Sequence, residues 1–121
     1  MKIIFLVDDS ATVLISTSSI LAKAGYQVEK AASAEEAMTK FKGGLKPDLL
    51  ITDLNMPGMN GIELIKQVRL MPNYRFMPIL LLTTESQPAK KLEGRAAGAS
   101  GWIVKPFAPE QLLAVVKKVC P

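Results

Sequence analysis

The chain is 121 residues long, 49% hydrophobic, and carries a formal net charge of +4. That length suits one compact domain over residues 1–121, with no output domain expected. One cysteine and no histidine exclude a disulfide framework, zinc-finger ligation and His-based acid–base catalysis, so any metal must sit among oxygens and be a hard cation.

The first predicted element is a strand over residues 2–7, five apolar residues that run into Asp8 and Asp9. The run is too short for a signal-peptide core, and no apolar stretch in the chain reaches membrane-span length. Two adjacent aspartates followed by Ser10 suit either a helix start or a cation site. Residues 11–24 read as a helix stopped by Gly25. At about 100° per residue, Val13, Thr17, Ile20 and Ala24 form the stripe expected to face a sheet. Leu14 then lies on the flank and Ile15 on the far side, a candidate docking spot for a partner helix. Residues 26–31 can form a strand, and "SAEE" (33–36) is a capping box opening a helix that ends at Gly43-Gly44.

"PDLLITD" (47–53) is a continuous apolar run entering Asp53. Residues 60–71 have helical periodicity, with Asn60 and Glu63 as another capping box. The proline and glycines of "MPGMNG" (56–61) read as a loop that turns the chain. "MPILLLTT" (77–84) is another buried strand, and Thr83 or Thr84 also suits a cap of the next helix. Pro88 opens a helix over 88–97, with Gly98 after it. "SGWIVK" (100–105) is the last strand, in which Trp102 reads as core or as a mobile aromatic, and 109–119 is the last helix.

Five strand–helix pairs whose strands are apolar on both faces predict an α/β fold, a five-stranded parallel sheet doubly wound by five helices. An eight-fold barrel needs about twice this length. In a parallel sheet every strand's carboxyl end points the same way, and ligands bind in that crevice. Asp8, Asp9, Asp53, Thr83 and Lys105 therefore converge. At roughly 4 Å and an effective dielectric near 20, each carboxylate pair repels by about 4 kcal/mol. Such a cluster argues for a cation. Mg²⁺, with Mn²⁺ as a possible substitute, is usually held by few carboxylates together with water and phosphate oxygens.

"VDDS" (7–10), "DLLITDLNMPGMNGIEL" (48–64), "LLLTTES" (80–86) and "GASGWIVKPF" (98–107) together resemble the response-regulator receiver domain, in particular its single-domain chemotaxis members of the CheY type. The likeness spans essentially the whole chain. It implies a flavodoxin-like sheet of order 2-1-3-4-5 and a phosphorylatable switch of a two-component system. Asp53 then resembles the phosphoacceptor for a histidine kinase, with Asp8 and Asp9 the Mg²⁺-binding acidic pair and the backbone carbonyl of Asn55 a further ligand. Thr83 resembles the switch hydroxyl and Lys105 the lysine that pairs with a phosphate oxygen. Lys105-Pro106 falls where the family has a cis peptide, accessible before proline. Trp102 occupies the switch-aromatic position, more often Tyr or Phe. Such a protein catalyses only its own phosphorylation and dephosphorylation. It is expected to be a cytoplasmic monomer that binds a target through its fourth helix, fifth strand and fifth helix.

That surface carries Lys90, Lys91, Arg95, Lys117 and Lys118, which suit an acidic partner peptide rather than nucleic acid, because the basic groups are scattered and not interleaved with aromatics. Asn55 and Glu85 resemble fast-cycling members and imply a phosphoryl lifetime of seconds to minutes. Thr84, where a small residue is usual, argues the other way. The first helix often carries a basic residue near Leu14 or Ile15, and here both are apolar. Three other functions fit parts of the pattern. A relay shuttle passing phosphate to a histidine phosphotransfer protein would share every site residue. A Mg²⁺-dependent aspartyl-phosphate phosphohydrolase would want DxD on the first strand. A flavin or nucleotide binder would want a glycine- or hydroxyl-rich loop there.

Overall fold

The computed structural model describes residues 2–84 and 87–121. Strands β1 (Ile3–Val7), β2 (Gln27–Ala31), β3 (Leu49–Thr52), β4 (Ile79–Thr83) and β5 (Gly101–Val104) alternate with helices α1 (Ala11–Lys23), α2 (Ala34–Lys42), α3 (Gly61–Arg69), α4 (Pro88–Ala97) and α5 (Pro109–Val119). All strand pairings are parallel, as the apolar runs predict, and the order is β2-β1-β3-β4-β5, as the family resemblance implies.

The continuous apolar runs pay off on both faces of the sheet, because successive side chains on a strand point to opposite sides. Phe5, Val7, Leu50, Ile79 and Leu81 pack with residues of α2 and α3 on one face. Ile4, Leu6, Ile51, Leu80 and Leu82 pack with Leu21 of α1 and with Leu112 and Val116 of α5 on the other. The local signals at the helix ends are present. Asn60 and Glu63 close a full capping box on α3, and Ser33 accepts the Glu36 N–H at the start of α2. Glu36 itself reaches Ala32 N–H rather than that of Ser33.

Two elements differ from expectation. The inner face of α1 is rotated toward Leu14 and Leu21. Thr17 and Leu21 are the buried residues, Leu14 and Ile20 pack on the core, and Ala24 is exposed. The leucines offer more apolar area to bury than Val13 and Ala24, so they set the rotation. Leu14 is therefore partly a core residue. A 3₁₀ turn over Pro72–Tyr74 was not anticipated. It buries Tyr74 against Phe41, ring centroids 4.8 Å apart, and the phenol donates to Leu45 O at 2.6 Å.

Candidate functional site

Strand register assembles the site. Val7 pairs with Thr52, so the next residues, Asp8 and Asp53, emerge side by side, tied by Asp53 N–H to Val7 O at 3.0 Å. Across the sheet Thr83 pairs with Val104, and the following Lys105 N–H donates to Thr83 O at 2.8 Å. The residues named on strand ends thus meet at one edge.

Asp8, Asp9 and Asp53 each present an oxygen within 4.8 Å of the others. Lys105 Nζ lies 3.1 Å from Asp8 Oδ2 and 3.5 Å from Asp53 Oδ2, with its side chain only 16% exposed. The other Asp8 oxygen accepts from Ser10 N–H at 2.9 Å, and Ser10 Oγ accepts from Val13 N–H to cap α1. The helix-start reading of "DDS" holds through Ser10, while Asp8 and Asp9 stand with Asp53 in an acidic group that could hold a metal ion. Burial pushes the Asp53 carboxyl above its ordinary range; the Lys105 ammonium opposes this, Asp8 adds to it, and hydrogen bonds from the Thr83 hydroxyl and Leu54 N–H oppose it.

Three carboxylates against one ammonium leave the cluster two negative charges in excess. The donors are all oxygens, and Asp8 and Asp53 are largely out of water. That set fits a hard divalent cation. Asn55, two residues beyond Asp53, is exposed at the mouth of the β3–α3 loop. The Lys105-Pro106 peptide is cis. Thr83 is fully buried, whereas Thr84 is exposed; Glu85 lies outside the described residues.

Trp102 is half-buried, paired with Leu81 in the sheet and leaning on Gly94 of α4, where an added Cβ would meet the indole at 3.4 Å. Grooves lie on both sides of it. Lys91, Arg95 and Ser100 line one. Val104, Pro106, Gln111 and Val115 line the other, of about 450 Å³. Lys90 is ion-paired with Glu93 at 3.5 Å, while Lys117 and Lys118 are exposed on α5. Ile15 is 68% exposed, and with Leu14 and Ala32 it lines a separate groove between α1 and the β2–α2 connection.

One residue at the site escaped the sequence reading. Gly61 is not a turn glycine. It starts α3 flush against the strand end, its N–H donating to Leu54 O at 2.9 Å, and a Cβ there would overlap the carbonyl oxygen of Asp53. Its place directly after the Asn60 cap was the only local signal.

The profile of the response regulator receiver domain matches residues 4–117. The chain belongs to this family. The receiver domain is 38% identical over 120 residues to chemotaxis protein CheY of Thermotoga maritima, covering 98% of this chain and 97% of that one. It is 39% identical over 110 residues to CheY1 of Helicobacter pylori, covering 90% and 89%. Among solved structures, chemotaxis protein CheY4 of Vibrio cholerae matches with a TM-score of 0.94 at 48% identity over 98% of both chains. Response regulator TrrA of Thermotoga maritima, solved in complex with Mg²⁺–BeF, matches with a TM-score of 0.87 at 34% identity, covering 98% of this chain and 99% of that one. As a receiver domain, the chain is a phosphorylatable switch of two-component signalling.

Proposed function

We propose that Asp53 is the phosphoacceptor of a chemotaxis switch, charged by a histidine kinase in a Mg²⁺-dependent reaction. The observation that carries this is the buried Asp53 carboxylate, set among Asp8, Asp9 and Lys105 at the carboxyl end of the sheet. The relatives named as chemotaxis proteins and the Mg²⁺–BeF complex of TrrA support the same reading.

An Asp53 oxygen attacks phosphorus. The bond to the donor's imidazole nitrogen breaks, its electron pair stays on nitrogen, and an aspartyl phosphate forms. Such transfers have a loose transition state with charge on the equatorial oxygens, so positioning and neutralisation dominate. Asp53 reacts as the carboxylate and needs no separate base. Lys105 already spans Asp8 and Asp53 and is in reach of a phosphoryl oxygen. The Thr83 hydroxyl, bonded to Asp53 in the resting protein, turns to another. Asp8, Asp9, Asp53 and the Asn55 carbonyl would hold Mg²⁺, which would supply the remaining positive charge. The domain catalyses only its own phosphorylation and dephosphorylation.

The output surface is formed by α4, β5 and α5, where Lys91, Arg95, Lys117 and Lys118 favour an acidic partner segment. No described helix is long and apolar enough to cross a membrane; a cytoplasmic monomer fits the role. The test is incubation with a small acyl-phosphate donor and Mg²⁺. Asp53→Asn and chelation should each abolish labelling, and label that survives either one refutes the assignment.

A further inference from the structure

We propose that Glu35 is a positioning residue for the loop that carries Asn55, acting on the metal site from the first turn of α2; this rests on the metal reading given above. Residues 53–60 join the acceptor strand to α3. The two ends of this loop are fixed. Gly61 N–H bonds to Leu54 O at one boundary, and the Asn60–Glu63 box closes the other. Met56 is buried in the core and Met59 packs against it. Between those anchors the Met59 N–H donates to Glu35 Oε2 at 2.9 Å, a bond that spans 24 residues of sequence and reaches a different helix.

A second observation points to the same contact. Gly58 has φ +75°, and a Cβ built there would lie 2.7 Å from Glu35 Oε2. The carboxylate therefore lies against the backbone of the loop, at a residue whose left-handed φ favours glycine. The bond from Met59 N–H holds the Glu35 carboxyl below its ordinary range, as expected for a carboxylate that accepts a backbone donor. Glu36 takes a different part, accepting Ala32 N–H and facing Lys40. Of the two adjacent glutamates, Glu35 alone reaches across to the loop among the described contacts. A ligand carbonyl three or four residues from this contact depends on the loop's path; partners bonded directly to ligands tune affinity about 10- to 100-fold, and Glu35, one step further out, acts through the backbone at Met59.

The test uses the full chain and Mg²⁺ alone as the probe. Isothermal titration measures the dissociation constant for wild type, Glu35→Ala and Glu35→Gln. Amide exchange at Met59 is followed by NMR in metal-free buffer. Glutamine keeps an acceptor oxygen but not the charge. Glu35→Ala should weaken Mg²⁺ binding about threefold or more and speed Met59 exchange about tenfold or more. Glu35→Gln should stay close to wild type on both. A glutamine variant as weak as alanine toward Mg²⁺ overturns the proposal in favour of long-range charge. Unchanged Met59 exchange in Glu35→Ala overturns the clamp itself. Wild-type protein that fails to bind Mg²⁺, or binds it equally after Asp9→Asn, overturns the metal reading; the exchange measurement needs no metal and judges the clamp separately.

Discussion

Asp53 sits in an environment that opposes its own charge. Burial and Asp8 both disfavour the carboxylate, and Lys105 with Thr83 only partly offsets them. A carboxyl whose folded pKa is raised stabilises the fold below its unfolded pKa and loses that contribution as pH rises through the folded value. In chelator, Asp53→Asn should therefore raise the melting temperature at pH 7 by a few degrees. The gain should vanish as pH falls below about 4, where both folded and unfolded chains hold the proton. Thermal melts of the two proteins across that range check it; a variant less stable than wild type at neutral pH would show that the Lys105 contact outweighs the repulsion. Gly61 belongs to the same scale. No pattern of neighbours announces that it must pack on the Asp53 carbonyl, because the constraint comes from how α3 docks, not from the loop sequence.

Among the elements, α1 and the turn after α3 show where local reading holds and where it stops. Strand ends and helix caps were legible because apolar runs, Ser33, Asn60, Pro88 and Gly98 carry their signal within a few residues. The rotation of α1 was not, since it depends on which residues the sheet below can accept. Ile15 nevertheless points outward as expected, so Ile15→Ser should leave the melting temperature unchanged. If it docks a protein donor, burial of the side chain contributes roughly 1.5–3 kcal/mol. Transfer from the cognate kinase should then slow about ten- to hundred-fold, with small-molecule phosphorylation intact. Equal loss of both rates would place Ile15 in the site rather than on a docking face. The 3₁₀ turn depends on contacts about thirty residues away. Tyr74 donates to Leu45 O and Phe41 O beneath the α2 terminus. Tyr74→Phe should cost about 1–2 kcal/mol, read as a lower denaturant midpoint at constant m-value.

At the scale of the whole molecule, the parallel sheet brings four separate strand ends to one site; their convergence follows from parallel βα repetition, and the strand order from the family resemblance. What sequence could not supply is how the site faces the remote surface. Trp102 stands between the two grooves beside β5, one bounded by Lys91 and Arg95 and the other by Val104 and Val115. Its strand partner Leu81 lies two residues before the Thr83 that bonds Asp53. If Trp102 is the switch aromatic, its indole would link two equilibria through a single side chain. A partner that fills either groove would then select one ring position, and Thr83 would impose the same choice once the acceptor is modified. Thermodynamic reciprocity then fixes the size of both effects: whatever factor beryllofluoride adds to affinity for an acidic target peptide, the peptide must add to affinity for beryllofluoride. Trp102 emission, the chain's single tryptophan signal, reads both titrations. With a coupling of about 5- to 150-fold in the usual range, the two factors should agree within error, and a peptide that binds tightly without shifting the beryllofluoride titration would mean that the target senses some other part of the surface.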